Sequence, residues 1–235
     1  MLKIAFHPIY KHPLPAGHRF PMEKYDLLPK QLLHEGTCEE VNFFLPQLME
    51  EDEQYIRSVH TSSYLEQLYT TSISPREARK IGFPLSPALV ERERIITNGT
   101  LQACQYALEH GVAMNIAGGT HHAYADHGEA FCMLNDQAIG AAFLLQQKLA
   151  KQILIVDLDV HQGNGTAQIF QNEDRVFTFS MHGKSNYPFK KEHSDLDIPL
   201  ENNCGDEHFL RTLQETLPKL IQRVKPDFIF FLSGV

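Results

Sequence analysis

The sequence predicts an α/β protein with a central, mainly parallel sheet that is flanked by helices. Short apolar runs alternate with segments of helical spacing in the second half of the chain, which is typical of a parallel sheet. Two of these runs, Ile153–Val156 and Phe228–Leu232, are apolar at every position. Such runs are expected of strands that are buried on both faces.

The individual elements follow from local patterns. Strands are predicted at Lys3–Phe6, Ala113–Ile116, Ile153–Val156, Val176–Phe179 and Phe228–Leu232. Helices are predicted at Met22–His34, Ser62–Thr70, Pro87–Gly111, about Asn135–Gln147, after the loop that follows Ile153–Val156, and at Asp206–Val224, where Pro218 is expected to kink or divide the helix. The proline-rich segments 7–21 and 72–87 are predicted to be loops.

Composition excludes several classes of protein. The 235 residues include 21 Lys and Arg and 29 Asp and Glu, a net charge of −8, and 43% are hydrophobic. The chain is too apolar to be disordered, and it lacks the run of about 18 apolar residues that a membrane span needs. Its acidic balance argues against direct nucleic acid binding but leaves a basic protein possible as substrate. We expect one domain over residues 1–235.

The cysteines bear on the compartment. Cys38, Cys104, Cys132 and Cys204 are scattered and form no CxxC pair. The first residues do not resemble a secretory signal. These features predict free thiols and a cytoplasmic location.

Ionisable residues follow the second apolar run, in the segment DLDVH. In an extended segment, alternation places Asp157, Asp159 and His161 on one face. Two carboxylates and an imidazole on one side of a strand end favour a cation, and zinc accepts both ligand types. An ordinary charged surface loop, or a helix cap at Asp157, remains the alternative.

A second candidate is the adjacent pair His121 and His122, in a glycine-bearing loop after the strand Ala113–Ile116. Histidine titrates near neutrality and suits acid–base chemistry, with Asp157 and Asn164 as candidates to fix the ring tautomers. On their own, the two histidines are at least as consistent with ordinary surface residues as with acid–base groups. HQGNG, residues 161–165, lacks the ending of a phosphate-binding loop, and no GxSxG elbow supports a serine nucleophile.

Three segments together resemble a known family. GGTHHAYADHGEAFCMLND, DLDVHQGNG and VFTFSMH are similar to three consecutive motifs of the histone deacetylase family, which includes bacterial acetylpolyamine and acetoin-utilisation deacetylases. HQGNG and HRFPMEKY resemble its class IV branch and that branch's bacterial relatives. The resemblance implies an arginase-like, three-layer α/β fold and a metal-dependent amide hydrolase.

The resemblance also implies roles for residues in the first two motifs. Asp159 and His161 would be two of three protein ligands to one catalytic zinc ion. The tandem histidines would flank the attacking water, with Asp157 orienting the first and Asn164 the second. Many relatives have Asp at the position of Asn164, so the second histidine is expected to be held less strongly as imidazolium.

Further residues are implied to serve the substrate and a structural cation. Phe131 and Phe189 would wall an acyl-lysine tunnel, although from the residues alone these aromatics and Tyr187 are most safely interpreted as core residues. A buried potassium site would use side chains and backbone carbonyls of Asp157, Asp159, His161, Ser180 and Met181.

The sequence departs from the family pattern after the last apolar run. The third zinc ligand is expected at or just after the SGV that ends the sequence, and a glycine-rich loop and a catalytic tyrosine are expected later. We therefore expect the chain to be part of a longer polypeptide. Ala130 also stands where many members have glycine.

The predicted function is zinc-dependent deacylation of an acyl-lysine peptide or protein, or of an acetylated polyamine or other small amine, with no membrane or nucleic acid partner. A ureohydrolase with two manganese ions is a weaker alternative, because DLDVH with Gln162 and Asn164 supplies few carboxylates. A non-catalytic binding module would explain the missing ligand and tyrosine but not the complete histidine and aspartate set.

Overall fold

A computed structural model describes residues 1–234 as two parallel sheets with helices packed against them. The strands are β1 (Lys3–Ala5), β2 (Phe43–Phe44), β3 (Ala113–Asn115), β4 (Ile153–Asp157), β5 (Val176–Gly183), β6 (Leu196–Leu200) and β7 (Phe228–Leu232). The α-helices are α1 (Lys24–His34), α2 (Glu53–Val59), α3 (Ser62–Tyr69), α4 (Pro75–Ile81), α5 (Pro87–His110), α6 (Asp136–Gln146), α7 (Asn164–Phe170) and α8 (Asp206–Val224). The predicted fold class is confirmed; Val235, the last residue of the predicted domain, lies outside the described residues.

The larger sheet has the strand order β6-β5-β4-β7, and the smaller has the order β2-β1-β3. Strand β4 pairs in parallel with both β5 and β7, and all five of its residues are buried. Its side chains alternate between two cores. Ile153 and Ile155 join the main core with residues of α5 and α6, whereas Leu154 and Val156 join a second core with Leu220 of α8. Helices on both faces of the sheet give the three layers.

Strand β7 is partly exposed among the described residues. Its bounds are as predicted, but Ile229 is 42% exposed and Phe231 is 58% exposed, while Phe230 and Leu232 are buried. In the described part of the chain β7 pairs only with β4 and therefore lies at the end of its sheet. Within residues 1–234, the face of β7 that carries Ile229 and Phe231 is open, whereas Phe230 joins the main core.

The prediction that 72–87 is a loop was wrong, because α4 lies within it. Ser74 caps this helix by accepting a hydrogen bond from the Glu77 N–H, and Pro75 occupies its first turn. Gly82 ends it with φ of +85°, a conformation that favours glycine. Capping residues therefore delimit a short helix that its prolines and weak apolar pattern conceal.

Other differences concern short elements. Strands β2 and β6 and helix α2 were not predicted from the sequence, because they have only two to seven residues each. Pro218 does not divide α8, which runs unbroken from Asp206 to Val224. Pro218 is exposed, so water can satisfy the carbonyl that loses its partner in the preceding turn.

A buried histidine braces the loop that follows β3. His60 is 2% exposed, its Nδ1 donates to the Tyr124 carbonyl (2.9 Å), and its Nε2 accepts from the Asn135 N–H (3.0 Å). Both ring nitrogens are therefore occupied in the neutral form. Burial lowers the pKa of His60 to about 4. These contacts give His60 a structural role.

The brace makes stability depend on pH. Because the pKa of His60 is lower in the folded than in the unfolded state, the unfolded state takes up the proton first as pH falls below about 6.5. We expect the free energy of unfolding to lose about 3 kcal/mol from this group between pH 7 and pH 4. His60→Gln should flatten that dependence by a similar amount in urea titrations at several pH values.

His208→Gln is the matched control, because His208 is exposed on α8. It should keep the pH dependence of the parent protein. If the free energy of unfolding changes with pH equally in the parent and in His60→Gln, His60 is not the cause of the pH dependence.

Candidate active site

The loop between β3 and α6 carries the tandem histidines, and the start of α6 holds it in place. Asp136, which is 1% exposed, accepts hydrogen bonds from the N–H groups of Gly119 (2.9 Å) and Thr120 (2.8 Å). Asn135 donates from Nδ2 to the Ala123 carbonyl (3.1 Å). The loop is thus fixed on both sides of the two histidines. Sequence analysis missed both residues, although an Asn-Asp pair before a helical run is a cap signal.

His121 is paired with a buried carboxylate at the end of β4. Its Nδ1 lies 2.6 Å from Asp157 Oδ2, and Asp157 Oδ1 accepts from the Asp159 N–H (3.0 Å). A Cβ at Gly163 would collide with the same carboxylate, so the loop after β4 can approach closely only with glycine there. Burial opposes protonation of His121, but Asp157 outweighs it and raises the pKa of the ring.

His122 is paired with an amide instead. Its Nδ1 lies 2.6 Å from Asn164 Oδ1 at the start of α7. Burial and, to a smaller extent, the neighbouring His121 lower the pKa of His122 to about 2. The two rings lie 4.1 Å apart between centroids, and they differ in the charge of the group behind them. The structure thus gives the pair one ring that favours the proton and one that is neutral.

Asp159 and His161 continue from β4 toward the same place. His161 Nδ1 lies 3.0 Å from Asp159 Oδ1, and the His161 ring lies 5.9 Å from that of His122 between centroids. Asp159 is 8% exposed. Burial raises the pKa of its carboxyl, but hydrogen bonds from His161 outweigh burial and lower it.

Asp159 and His161 have donor atoms suited to zinc, but two ligands are too few for a catalytic zinc site. A carboxylate oxygen and an imidazole nitrogen 3.0 Å apart can both bind one tetrahedral ion, because zinc accepts both types at about 2.0–2.2 Å. Within residues 1–234, no group of three or more His, Cys, Asp or Glu side chains is arranged to hold a metal ion. The described residues therefore offer two side chains suited to zinc, one fewer than the three protein ligands of a catalytic zinc site.

The segment after β7 passes directly beside this pair. A Cβ added to Gly234 would collide with the Asp159 carboxylate. Leu232, the last residue of β7, lies opposite Asp157 in the register of the sheet. The chain therefore passes against the Asp159 carboxylate where the sequence analysis expects a further ligand.

Of the residues proposed for potassium, Asp157 ends β4, while Ser180 and Met181 lie within the neighbouring strand β5. Asp157 of β4 is opposite Ser180 of β5, and Ser180 Oγ lies 3.0 Å from His182 Nδ1. The Met181 side chain is buried in the second core, so only its backbone carbonyl is suited to a cation.

The aromatic residues are arranged differently from the sequence expectation. Phe131 packs against Phe20 and Phe83, with ring centroids 5.1 and 5.0 Å away. Phe189 is 91% exposed. Tyr187, which sequence analysis favoured as a core residue, instead lies edge-on to His122 with ring centroids 5.0 Å apart. Its ring also lies 6.2 Å from that of His161, so Tyr187 is the aromatic side chain of this loop that contacts the histidines.

Gln162 holds the Tyr187 loop in place. It is 1% exposed, its N–H donates to the Tyr187 carbonyl (3.3 Å), and its Nε2 donates to the Glu192 carbonyl (2.8 Å). Its Oε1 accepts from the Glu192 N–H (2.9 Å). Sequence analysis gave Gln162 no such role, because these contacts join residues about 30 positions apart.

Comparison with known proteins gives a consistent result. The histone deacetylase domain model matches residues 18–235. The chain is 44% identical over 232 residues to an uncharacterized protein of Picosynechococcus sp., covering 99% of the chain and 77% of that protein. It is 31% identical over 248 residues to a probable deacetylase of Archaeoglobus fulgidus, covering 98% of the chain and 68% of that protein.

A solved structure agrees. A histone deacetylase homologue from Aquifex aeolicus superposes with a TM-score of 0.79 at 25% identity, covering 98% of this chain and 67% of that one. Across four curated relatives, the chain spans between 58% and 77% of their lengths. With most of its residues matched by the domain model, the chain belongs to the histone deacetylase family.

Proposed function

We propose that this protein is a zinc-dependent deacylase that hydrolyses an acyl-amide bond. The observation that carries the proposal is the joint placement of two hydrogen-bonded histidines and the Asp159–His161 pair at the carboxyl end of β4. Each part has ordinary structural explanations by itself. Together they supply metal ligands and acid–base groups around one small volume, as an amide hydrolase requires.

The tandem histidines would divide the proton transfers. His122 is neutral, with Nδ1 directed to Asn164, so its Nε2 is free to take a proton from the attacking water. It would later give that proton to the leaving amine. His121, with Asp157 behind it, would carry positive charge and stabilise the charge that develops on the substrate oxygen.

Asp159 and His161 would hold the zinc ion together with a third ligand after β7. When bound, zinc would polarise the scissile carbonyl and lower the pKa of the attacking water. Asp157, Ser180 and the Met181 carbonyl would hold potassium behind the site. The family membership favours this reading over a two-manganese ureohydrolase.

The substrate class is proposed from the aromatic contacts. Tyr187 and Phe131 are the better candidates for apolar walls of an acyl-lysine or acyl-amine slot, while the exposed Phe189 would lie at its rim.

No helix in residues 1–234 is both long and apolar enough to cross a membrane. The four cysteines are unpaired, which supports the predicted reducing, cytoplasmic compartment.

One prediction of the proposed function concerns the metal. In the longer polypeptide, Asp159→Ala and His161→Ala would each remove a direct ligand, so zinc content after dialysis against a fixed zinc concentration should fall sharply by elemental analysis. Asp157→Asn should retain most of the zinc, because Asp157 contacts His121 instead of the ion. Glu201→Ala, at an exposed position, is the control. Unchanged zinc in both ligand variants would refute the assignment.

The second prediction concerns the general base. His122→Ala should lower kcat for an acetyl-lysine peptide by about 10²–10⁴-fold with little change in KM. His34→Ala changes an exposed histidine on α1 and should leave kcat unchanged. Normal turnover by His122→Ala would mean that the proton goes elsewhere, with His121 as the next candidate.

The third prediction separates the two aromatic candidates of one loop. Tyr187→Ala should raise KM by about tenfold, equivalent to about 1.4 kcal/mol, because it removes the ring beside His122. Phe189→Ala is the matched comparison and should change KM by less than about twofold. The reverse order of effects would restore Phe189 as the wall.

A further inference from the structure

The amide of Asn164 has hydrogen-bond partners on both ends. Its Oδ1 faces His122, and its Nδ2 donates to Glu129 Oε2 (3.0 Å) and to the Tyr124 hydroxyl oxygen (3.0 Å). Asn164 is 1% exposed, so water cannot replace these partners easily. All the hydrogen-bonding capacity of the NH₂ group is used by these two contacts.

The partners of the NH₂ group have a fixed polarity. An ionised carboxylate such as that of Glu129 only accepts hydrogen bonds. The Tyr124 hydroxyl donates to Glu192 Oε1 (3.3 Å), which leaves its oxygen to accept from Asn164. Burial raises the pKa of Tyr124, with Glu192 and Glu129 adding to the effect, so the hydroxyl keeps its proton. One acceptor of the NH₂ group is thus a carboxylate, and the other, the Tyr124 hydroxyl, is held as an acceptor by a second carboxylate, that of Glu192.

This polarity determines which end of the amide faces the histidine. With NH₂ directed to Glu129 and Tyr124, only Oδ1 can face His122, and an amide oxygen only accepts. His122 must then carry its proton on Nδ1, and Nε2 is left with a free lone pair. If the amide turned over, NH₂ would donate to Nδ1 and the proton would move to Nε2, where the ring could not act as a base.

We propose that Glu129, with Tyr124, is a positioning residue that sets the tautomer of His122 by fixing the orientation of the Asn164 amide. In relation to catalysis this rests on the proposed deacylase function. In many relatives a carboxylate at the position of Asn164 would contact this histidine directly. Here the Asn164 amide lies between His122 and the carboxylate of Glu129, which belongs to the loop between β3 and α6. Asn164 transmits the polarity of Glu129 but keeps the negative charge off the ring.

The direct test reads the tautomer without using activity. Long-range ¹H–¹⁵N spectra of the histidine rings in the full chain distinguish Nδ1–H from Nε2–H, and His122→Gln assigns the signals. The parent should show the Nδ1–H form. Glu129→Leu combined with Tyr124→Phe removes both acceptors and should raise the share of the Nε2–H form by at least about tenfold, equivalent to about 1.4 kcal/mol.

Two variants control this measurement. Glu129→Gln keeps an acceptor for Asn164 Nδ2 and should keep the parent tautomer. Asp126→Leu removes a carboxylate of the same loop that is 70% exposed and should also keep it. An Nε2–H form in the parent, or an unchanged tautomer in the double variant, overturns the proposal.

A second measurement covers the case in which the double variant does not fold. Asn164→Asp places two carboxylates side by side, so it should lower the melting temperature. Adding Glu129→Gln should then raise the melting temperature, whereas Glu129→Gln in the parent should lower it or leave it unchanged. The same direction of change in both backgrounds overturns the proposal. A longer polypeptide that includes the third ligand and the tyrosine but fails to hydrolyse acetyl-lysine would refute the proposed function, and neither of these outcomes depends on that activity.

Discussion

The arrangement of this site depends on the need to pair every polar group that is buried at the carboxyl edge of the larger sheet. An unpaired polar group in such a place costs about 1–3 kcal/mol, and an unpaired charge costs more. Asp157 meets this need with two contacts, to the Asp159 N–H and to His121. Because β4 is buried on both faces, the carboxylate cannot turn toward solvent. The strand end therefore fixes the position of the first histidine.

The same requirement fixes the other side of the site. Asp136 and Asn135 bind the backbone on either side of the tandem histidines, and both are essentially inaccessible to water. The start of a helix also favours a negative charge, through its free N–H groups and dipole. The histidine loop is thus held between the end of a strand and the start of a helix. Rigid elements of this kind limit the movement of the two rings.

Much of the fold could be predicted from the sequence, because its main elements have strong local patterns. The runs Ile153–Val156 and Phe228–Leu232 became strands at or near their predicted bounds, and the residues after β4 lie at the site. The sequence could not show that Phe231 is exposed, because exposure depends on which element covers a strand. The helix α4 was not predicted because it has a weak apolar pattern, and only its capping residues Ser74 and Gly82 indicate where it begins and ends.

Only those parts of the site that depend on the sequence motifs could be predicted. The contacts of the tandem histidines with Asp157 and Asn164 were expected from the motifs, and the structure contains them. Which aromatic side chain turns inward after β5 was not, because Tyr187 and Phe189 are both plausible until the path of the loop is known.

The exchange of a carboxylate for Asn164 has a physical rationale in the charge that surrounds it. Asp136, Asp157 and Asp159 are all at most 8% exposed, so a further buried carboxylate would add repulsion and desolvation where water is scarce. An amide at this position avoids that cost, but by itself it has no fixed polarity, since either end can face the ring. Glu129 is only partly buried, so its charge stays partly hydrated while its oxygen still reaches the amide. Moving the charge outward by one residue thus orients the ring without burying a fourth negative charge.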